Sequence, residues 1–332
     1  MVRDNYQYRL SVIVAIYNVE AYLERCLESI VCQDLSKDEY EVLLINDGST
    51  DRSLEIAKRF EEEYTNFIVY SKENGGLSSV RNFGIERSHG RYIMHVDGDD
   101  FLEDNVIGKV VKVAEDNDLD LCFFDSQTYP EGRSLNNFNQ FPRYHIFTGE
   151  YLLLHEMKVS STWCAIYKNS FIKDSKITFY GRISHQDVEY NYRLYPLAKR
   201  IMFTNLLVYN YFIEGESISR TKDINKKKRN LLDNLIIVKN VKQYAENGDC
   251  SELIKDLLIR KMNSTEIAFL LSFCKKDNNF GYTFAKEFIK EAQLLSVYPI
   301  KGKTYSWKTT LLLPFVNIKW VYLFLVRLLN NK

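Results

Sequence analysis

The sequence predicts an α/β domain built on a largely parallel sheet, followed by a helical region. Three observations lead there. Strand-like and helix-like patterns alternate four times within the first hundred residues. The strand-like runs are nearly continuous in apolar and β-branched residues, as strands covered on both faces are. Beyond residue 223 the strand pattern disappears. At 332 residues the chain exceeds one typical domain, so a large domain over 1–222 with a helical appendage over 223–332 is expected.

Leu10 to Ile16 reads as the first strand. Val19, Tyr22, Leu23, Cys26, Leu27, Ile30 and Val31 then follow an i, i+3, i+4, i+7 rhythm, the apolar stripe of an amphipathic helix. Glu41 to Ile45 is a second strand, and it ends in the polar turn Asn46-Asp47-Gly48-Ser49-Thr50-Asp51. A helix of about 51–63 starts there, with Ser, Thr and Asp available as caps. Phe67 to Tyr70 is a short third strand. The turn Asn74-Gly75-Gly76 opens a helix of about 77–88, and residues 91–96 form a strand that stops at Asp97-Gly98-Asp99-Asp100. A helix of about 103–115 and a strand over 119–124 continue the pattern. It breaks over 126–147, a stretch suited to an acceptor-specific loop or to an inert surface excursion. A helix of about 149–157, the aromatic segment Trp163 to Tyr167, a helix start at Ile183 to Tyr190, and two strands over 201–203 and 206–212 complete the domain.

The bulk numbers exclude some classes. Lys plus Arg and Asp plus Glu are 44 each, so the chain lacks the basic excess of a general nucleic-acid binder. Its six Cys contain no CxxC pair and several fall in apolar-periodic segments, which reads as reduced thiols of a cytosolic protein. The polar start, Met1 to Arg9, carries no apolar core of a secretory signal. Tyr305 to Leu329 is rich in Trp, Tyr and Leu but is interrupted by Lys308, Pro314, Lys319 and Arg327. That pattern suits a helix lying in the headgroup region of a membrane rather than crossing it; the plainer reading is a C-terminal helix covering a core.

The chemistry concentrates at the strand ends. Asp97 and Asp99, two apart on an extended continuation, point to one side. Two acids held together repel, and a hard divalent cation with a phosphate-bearing ligand relieves that; an ordinary acidic turn is the alternative. The clusters Tyr17-Asn18, Asn46 to Asp51, Asn74 to Gly76 and Asp97 to Asp100 each follow a strand. In an open parallel sheet they converge on one rim, where ligands bind.

Taken in order, these motifs resemble the inverting glycosyltransferases of family 2, which have the GT-A fold, a Rossmann-like sheet for nucleotide-diphospho-sugar transfer. Ser11 to Asn18 resembles the family's first strand with its Tyr-Asn end. Asn46 to Asp51 resembles the nucleotide turn, Asn74-Gly75-Gly76 with Arg81-Asn82 the segment near the diphosphate, and Asp97-Gly98-Asp99-Asp100 the DxD motif. The likeness covers about 8–220, with a donor half over 8–105 and an acceptor half over 106–222. It implies that Ala15, Tyr17, Asn18, Asp47 and Asp51 surround base and ribose, Asp47 accepting from a pyrimidine N–H. Asn74, Arg81 and Gly98 would lie along the donor, Asp97 would face ribose or sugar, and Asp99 would hold Mn2+ or Mg2+ against the diphosphate. The family's base is the Asp of a Glu-Asp pair; here that place reads Gln186-Asp187, which makes Asp187 the candidate base and Gln186 a departure. His185 beside them is a candidate metal ligand or acceptor contact, and Ser217 and Arg220 are candidate donor contacts.

The expected function is metal-dependent transfer of a sugar, from a UDP-sugar, to a hydroxyl of a glycan or lipid-linked acceptor in surface polysaccharide synthesis, on the cytoplasmic side of a membrane. A scaffold protein that keeps this fold without turnover is the alternative, for which Gln186 speaks. A sugar-phosphate nucleotidylyltransferase would want a Gly-rich basic loop after strand one, where this chain has Tyr17-Asn18-Val19-Glu20. A dinucleotide oxidoreductase would want GxGxxG there.

Overall fold

A computed structural model describes residues 6–135, 138–158, 161–213, 223–275 and 280–330 of the chain. Packing divides it into two compact units: Met1–Arg182 with Leu194–Glu214, and Ile183–Arg193 with Gly215–Lys332. The α/β sheet and the helical C-terminal region expected from the sequence are both present.

In the first unit, β1 (Tyr8–Ile16), β2 (Tyr40–Asn46), β3 (Phe67–Ser71) and β4 (Gly90–Asp97) alternate with α1 (Leu23–Val31), α2 (Ser53–Glu63) and α3 (Leu77–Arg87). All four strands are parallel, in the order β3-β2-β1-β4. Their continuous apolar runs are explained by burial on both faces: β2 is buried at every residue, and Val12, Val14, Val42, Leu44, Met94 and Val96 belong to one core with α1 and α4 (Ile107–Asp116). Because all four strands are parallel, their carboxyl ends share one rim, and the order reverses between β1 and β4, the switch point at which open sheets bind ligands. Ala15 on β1 sits between Ile45 of β2 and Asp97 of β4 in the register.

The sheet continues through β8 (Ala165–Lys168), β6 (Leu121–Tyr129) and β9 (Ile201–Phe212) to the two-residue β5 (Phe101–Leu102), while β7 (Ile146–Phe147) pairs with β9. β8 runs antiparallel to both β4 and β6. Two helices, α5 (Gly149–Leu154) and α6 (Asn169–Ser175), complete this unit.

Three local expectations are corrected. The two strands expected at 201–203 and 206–212 are one strand, β9, whose register against β6 slips between Phe123 and Asp125. Thr204, which read as a break, donates its hydroxyl to the Phe123 carbonyl at 3.0 Å inside that irregularity. The helix expected from 51 starts at Ser53 without a side-chain cap, because Asp51 turns back to accept the Ser53 and Glu20 N–H groups instead. The helix expected from 103 starts at Ile107, since Phe101 and Leu102 pair with Tyr209 and Asn210 of β9.

The second unit is helical: α7 (Gln186–Leu194), α8 (Ile224–Asn247), α9 (Glu252–Ser272), α10 (Gly281–Leu294), α11 (Trp307–Asn317) and α12 (Lys319–Asn330). Ser184, just before α7, donates its N–H to Asp233 at 2.9 Å and its hydroxyl to Asn230 at 2.8 Å, both on α8. Glu189 is buried on α7 and paired with Arg193. A buried Lys242–Glu266 pair, 3.1 Å, ties α8 to α9.

Candidate functional site

The rim of the first unit gathers the strand-end clusters, and each side chain there has a definite task. Asp47, which leaves β2, is buried. Its Oδ1 accepts from Lys72 Nζ at 2.5 Å and the Gly75 N–H at 2.8 Å, and its Oδ2 accepts the Gly76 N–H at 2.7 Å. The Asn74 amide donates to the Asp47 carbonyl at 3.0 Å. Asp47 thus shapes the Asn74-Gly75-Gly76 turn at the start of α3, where Gly76 takes φ 82°. Accepting from a base N–H, as the resemblance implies, would add a fourth donor to a carboxylate with about four lone-pair sites.

Asn18, at φ 51°, joins the β1 and β2 turns: its Oδ1 accepts the Thr50 N–H at 2.8 Å. Burial works against the Asp51 charge, yet the bonds from Ser53 and the Glu20 N–H hold its carboxyl below the usual range. Tyr17 stands exposed beside them, and Ala15 is half-buried.

The acidic motif separates into two functions. Asp97 is partly exposed and its Oδ1 accepts from Arg81 Nη2 at 3.0 Å. Arg81 is buried on α3, and its Nε and Nη1 find no partner among the described residues. Asp99 is half-buried; burial first, then the charge of Asp97, pushes its carboxyl up to about 6. Asp100 is different. It is fully buried, accepting the Tyr209 hydroxyl at 2.7 Å and the Phe212 N–H at 2.8 Å, both from β9. Burial and the Asp99 and Asp97 charges raise it well above the usual carboxyl range. The third carboxylate of the motif therefore anchors the loop. Gly98 is required by proximity, because a Cβ there would stand 2.8 Å from the Ala15 carbonyl oxygen.

Several of these partners were missed in the sequence. The Tyr209 hydroxyl also accepts the Asp97 N–H at 3.1 Å, and Trp163 stacks on the Tyr209 ring at 4.5 Å. Arg25 on α1 lies over the Phe101 and Phe212 rings at 4.5 and 4.2 Å and donates to the Asp99 carbonyl at 3.2 Å. Arg182 holds the Asn74 amide oxygen at 3.1 Å and the Gly75 carbonyl at 3.3 Å. His95, two residues before Asp97, is buried between Tyr167 and Phe179. Burial and the Arg81 charge hold its ring well below the usual pKa, so it is neutral. Tyr209→Phe removes two bonds at once, and a melting temperature lowered by several degrees, from about 1–3 kcal/mol of lost stability, is the outcome that thermal denaturation checks.

The described residues contain no cluster of three or more His, Cys, Asp and Glu side chains that could hold a metal. Asp97 and Asp99 nonetheless suit Mg2+ or Mn2+. Such ions bind through one or two carboxylates and keep their remaining positions for water and phosphate oxygens, and the acidic pair that burial leaves at odds is relieved by a cation.

In the second unit, Asp187 lies in the first turn of α7, half-buried, with Oδ1 accepting the Val188 N–H at 2.9 Å. Gln186 is buried and its Oε1 has no partner among the described residues. His185 takes φ 59° and passes its carbonyl to the Val188 N–H at 3.0 Å. Glu189, the other carboxylate of this turn, is committed to its ion pair with Arg193. Ser217 and Arg220 lie outside the described residues.

Residues 11–176, half of the chain, match the family model for glycosyl transferase family 2. The putative glycosyltransferase EpsH of Bacillus subtilis is 31% identical over 219 residues, covering 63% of this chain and 62% of EpsH. The poly(ribitol-phosphate) beta-glucosyltransferase of Bacillus spizizenii is 28% identical over 64% of this chain and 33% of its own length. The chain thus spans less than two thirds of either relative. Among solved structures, residues 1–349 of S. aureus TarS match with a TM-score of 0.74 at 20% identity, covering 97% of this chain and 90% of that one. TarS has also been solved with UDP-GlcNAc. At that identity the likeness speaks for the fold, an α/β sheet followed by helices.

Proposed function

This chain belongs to glycosyl transferase family 2, and we propose that it moves a sugar, with inversion, from a UDP-sugar to a hydroxyl of a glycan or lipid-linked acceptor in cell-surface polysaccharide synthesis. The observation that carries the reading is the Arg81–Asp97–Asp99 group on the strand-end rim. It combines a buried guanidinium with two unsatisfied N–H edges and two acids in need of a cation, and those are the parts a diphosphate requires. The poly(ribitol-phosphate) glucosyltransferase among its relatives and UDP-GlcNAc in TarS support the acceptor class and the donor nucleotide.

In this reading Ala15, Tyr17, Asn18, Asp47 and Asp51 bound the nucleoside pocket, where the Asp47 network keeps the turn in shape. Asn74, Gly98 and Arg81 line the diphosphate. Asp99, with Asp97, would hold Mg2+ or Mn2+, which would supply positive charge against the departing diphosphate. The acceptor oxygen bonds to the anomeric carbon as the bond from that carbon to the diphosphate breaks, and the electron pair leaves with UDP. Asp187 takes the acceptor's proton; Gln186, neutral where the family's pattern implies Glu, leaves Asp187 without a like charge beside it. The protein works on the cytoplasmic side, at a membrane surface through the segment 305–329.

Release of UDP from a panel of UDP-sugars, with Mn2+ and with EDTA, tests this. Release from one or a few donors, stopped by EDTA, is expected. No release from any nucleotide sugar by the folded protein overturns it.

A further inference from the structure

α11 and α12 present two unlike faces. The inner one is bonded to its own unit: Leu313, Val316, Tyr322, Leu323 and Val326 are buried, and the Tyr322 hydroxyl donates to the Leu270 carbonyl of α9 at 2.8 Å. The outer one carries Trp307, Leu311, Phe315, Trp320, Phe324 and Leu328, all half or more exposed, with Trp320 at 75% and Trp307 at 69%. Single exposed apolar residues are ordinary, but large ones repeated every fourth residue along one side of each of two successive helices mark a binding surface. It holds two of the three Trp in the chain.

Charge identifies what it binds. Six of the 44 Lys and Arg, and none of the 44 Asp and Glu, lie beyond Glu291, which leaves 38 basic against 44 acidic residues in the rest of the chain. Lys301, Lys303, Lys308, Lys319 and Arg327, on these helices or within six residues before them, are exposed. Two copies of so basic a segment would repel each other across a symmetric interface. An anionic bilayer supplies the missing counter-charge, and its headgroup–acyl boundary accepts Trp, Phe and Leu.

Among the described residues no single helix is long and apolar enough to cross a membrane, and α11 and α12 together are bent by 101°. Crossing would also strip the buried inner face from α9 and α10. We propose that the outer face of α11 and α12 is an interfacial anchor that seats the protein on an anionic phospholipid bilayer, in the plane of its headgroups. This deepens the membrane-surface part of the proposed function, on which it rests, and it does not depend on sugar transfer.

Flotation of the full chain with vesicles tests it. The protein is expected to float with phosphatidylcholine–phosphatidylglycerol vesicles, to stay behind with phosphatidylcholine alone, and to be released by high salt. Its Trp emission should shift to shorter wavelength on binding. Trp320→Glu with Phe324→Glu should lower the bound fraction by at least about tenfold, while the circular dichroism and the UDP affinity in lipid-free solution stay those of the wild type. Three results overturn the proposal: no flotation of the wild type with the anionic vesicles, flotation unchanged in the double variant, or a wild-type dimer that the double variant splits without any lipid binding. The last would assign the face to a second copy. Unchanged UDP affinity separates failure of the anchor from failure of the donor site.

Discussion

Asp187→Asn is expected to keep UDP binding at the wild-type level and to lower the rate of transfer by about 10²- to 10⁴-fold, the usual contribution of a general base. Asn preserves the shape of the side chain and can still face the Val188 N–H that Asp187 Oδ1 accepts, so the start of α7 keeps its fold. What it loses is the ability to take a proton. The neighbouring Glu189 cannot substitute, because it is buried and paired with Arg193. Titration of UDP together with initial rates of UDP release separates the two effects. Transfer that survives the change removes Asp187 from the mechanism. Absence of transfer in the wild type as well, with UDP bound, turns the reading toward a scaffold that keeps the donor site, the one alternative that Gln186 favours.

Arg81→Met is expected to weaken UDP binding by about 30- to 1,000-fold, roughly 2–4 kcal/mol, as truncation of a buried charged partner does. Arg81 is enclosed by the sheet and by the Phe179 ring at 5.6 Å. Among the described residues its single ionic partner is Asp97, and its other two N–H-bearing nitrogens face no acceptor. Buried donors are nearly always satisfied, and in the proposed site the donor's diphosphate would supply the acceptors. Met fills a similar volume and leaves Asp97 without its partner, so the loss should be larger in the presence of the metal than a surface charge change would give. Calorimetric titration reads it. An unchanged affinity would place the diphosphate elsewhere.

Much of this site was legible because it depends on local pattern. A buried parallel strand must be apolar throughout, so β1, β2 and β4 are visible in the sequence, and the topology rule alone puts their polar ends on one rim. The tasks within the rim were not legible. Asp97, Asp99 and Asp100 read as one acidic run, yet Asp100 is claimed by Tyr209, 109 residues away. Nothing in the spacing of the motif separates an anchor from a ligand. Lys72 and Arg182, which brace the turn at Asn74, look in the sequence like ordinary surface cations. β9 reads as two strands because Thr204 and Asn205 are polar, and only its pairing with β6 shows them inside one. The C-terminal aromatic run leaves two readings open in the sequence, and which of its residues face outward is visible only in the packing of α11 and α12.

The most direct test of the central claim is calorimetric titration of the wild-type protein with UDP and with GDP, each with Mn2+ and with EDTA. UDP binding that requires the metal, with GDP bound weakly or not at all, is the result predicted from Asp47, Arg81 and Asp99 on one rim. No binding of either nucleotide to the folded protein would contradict it.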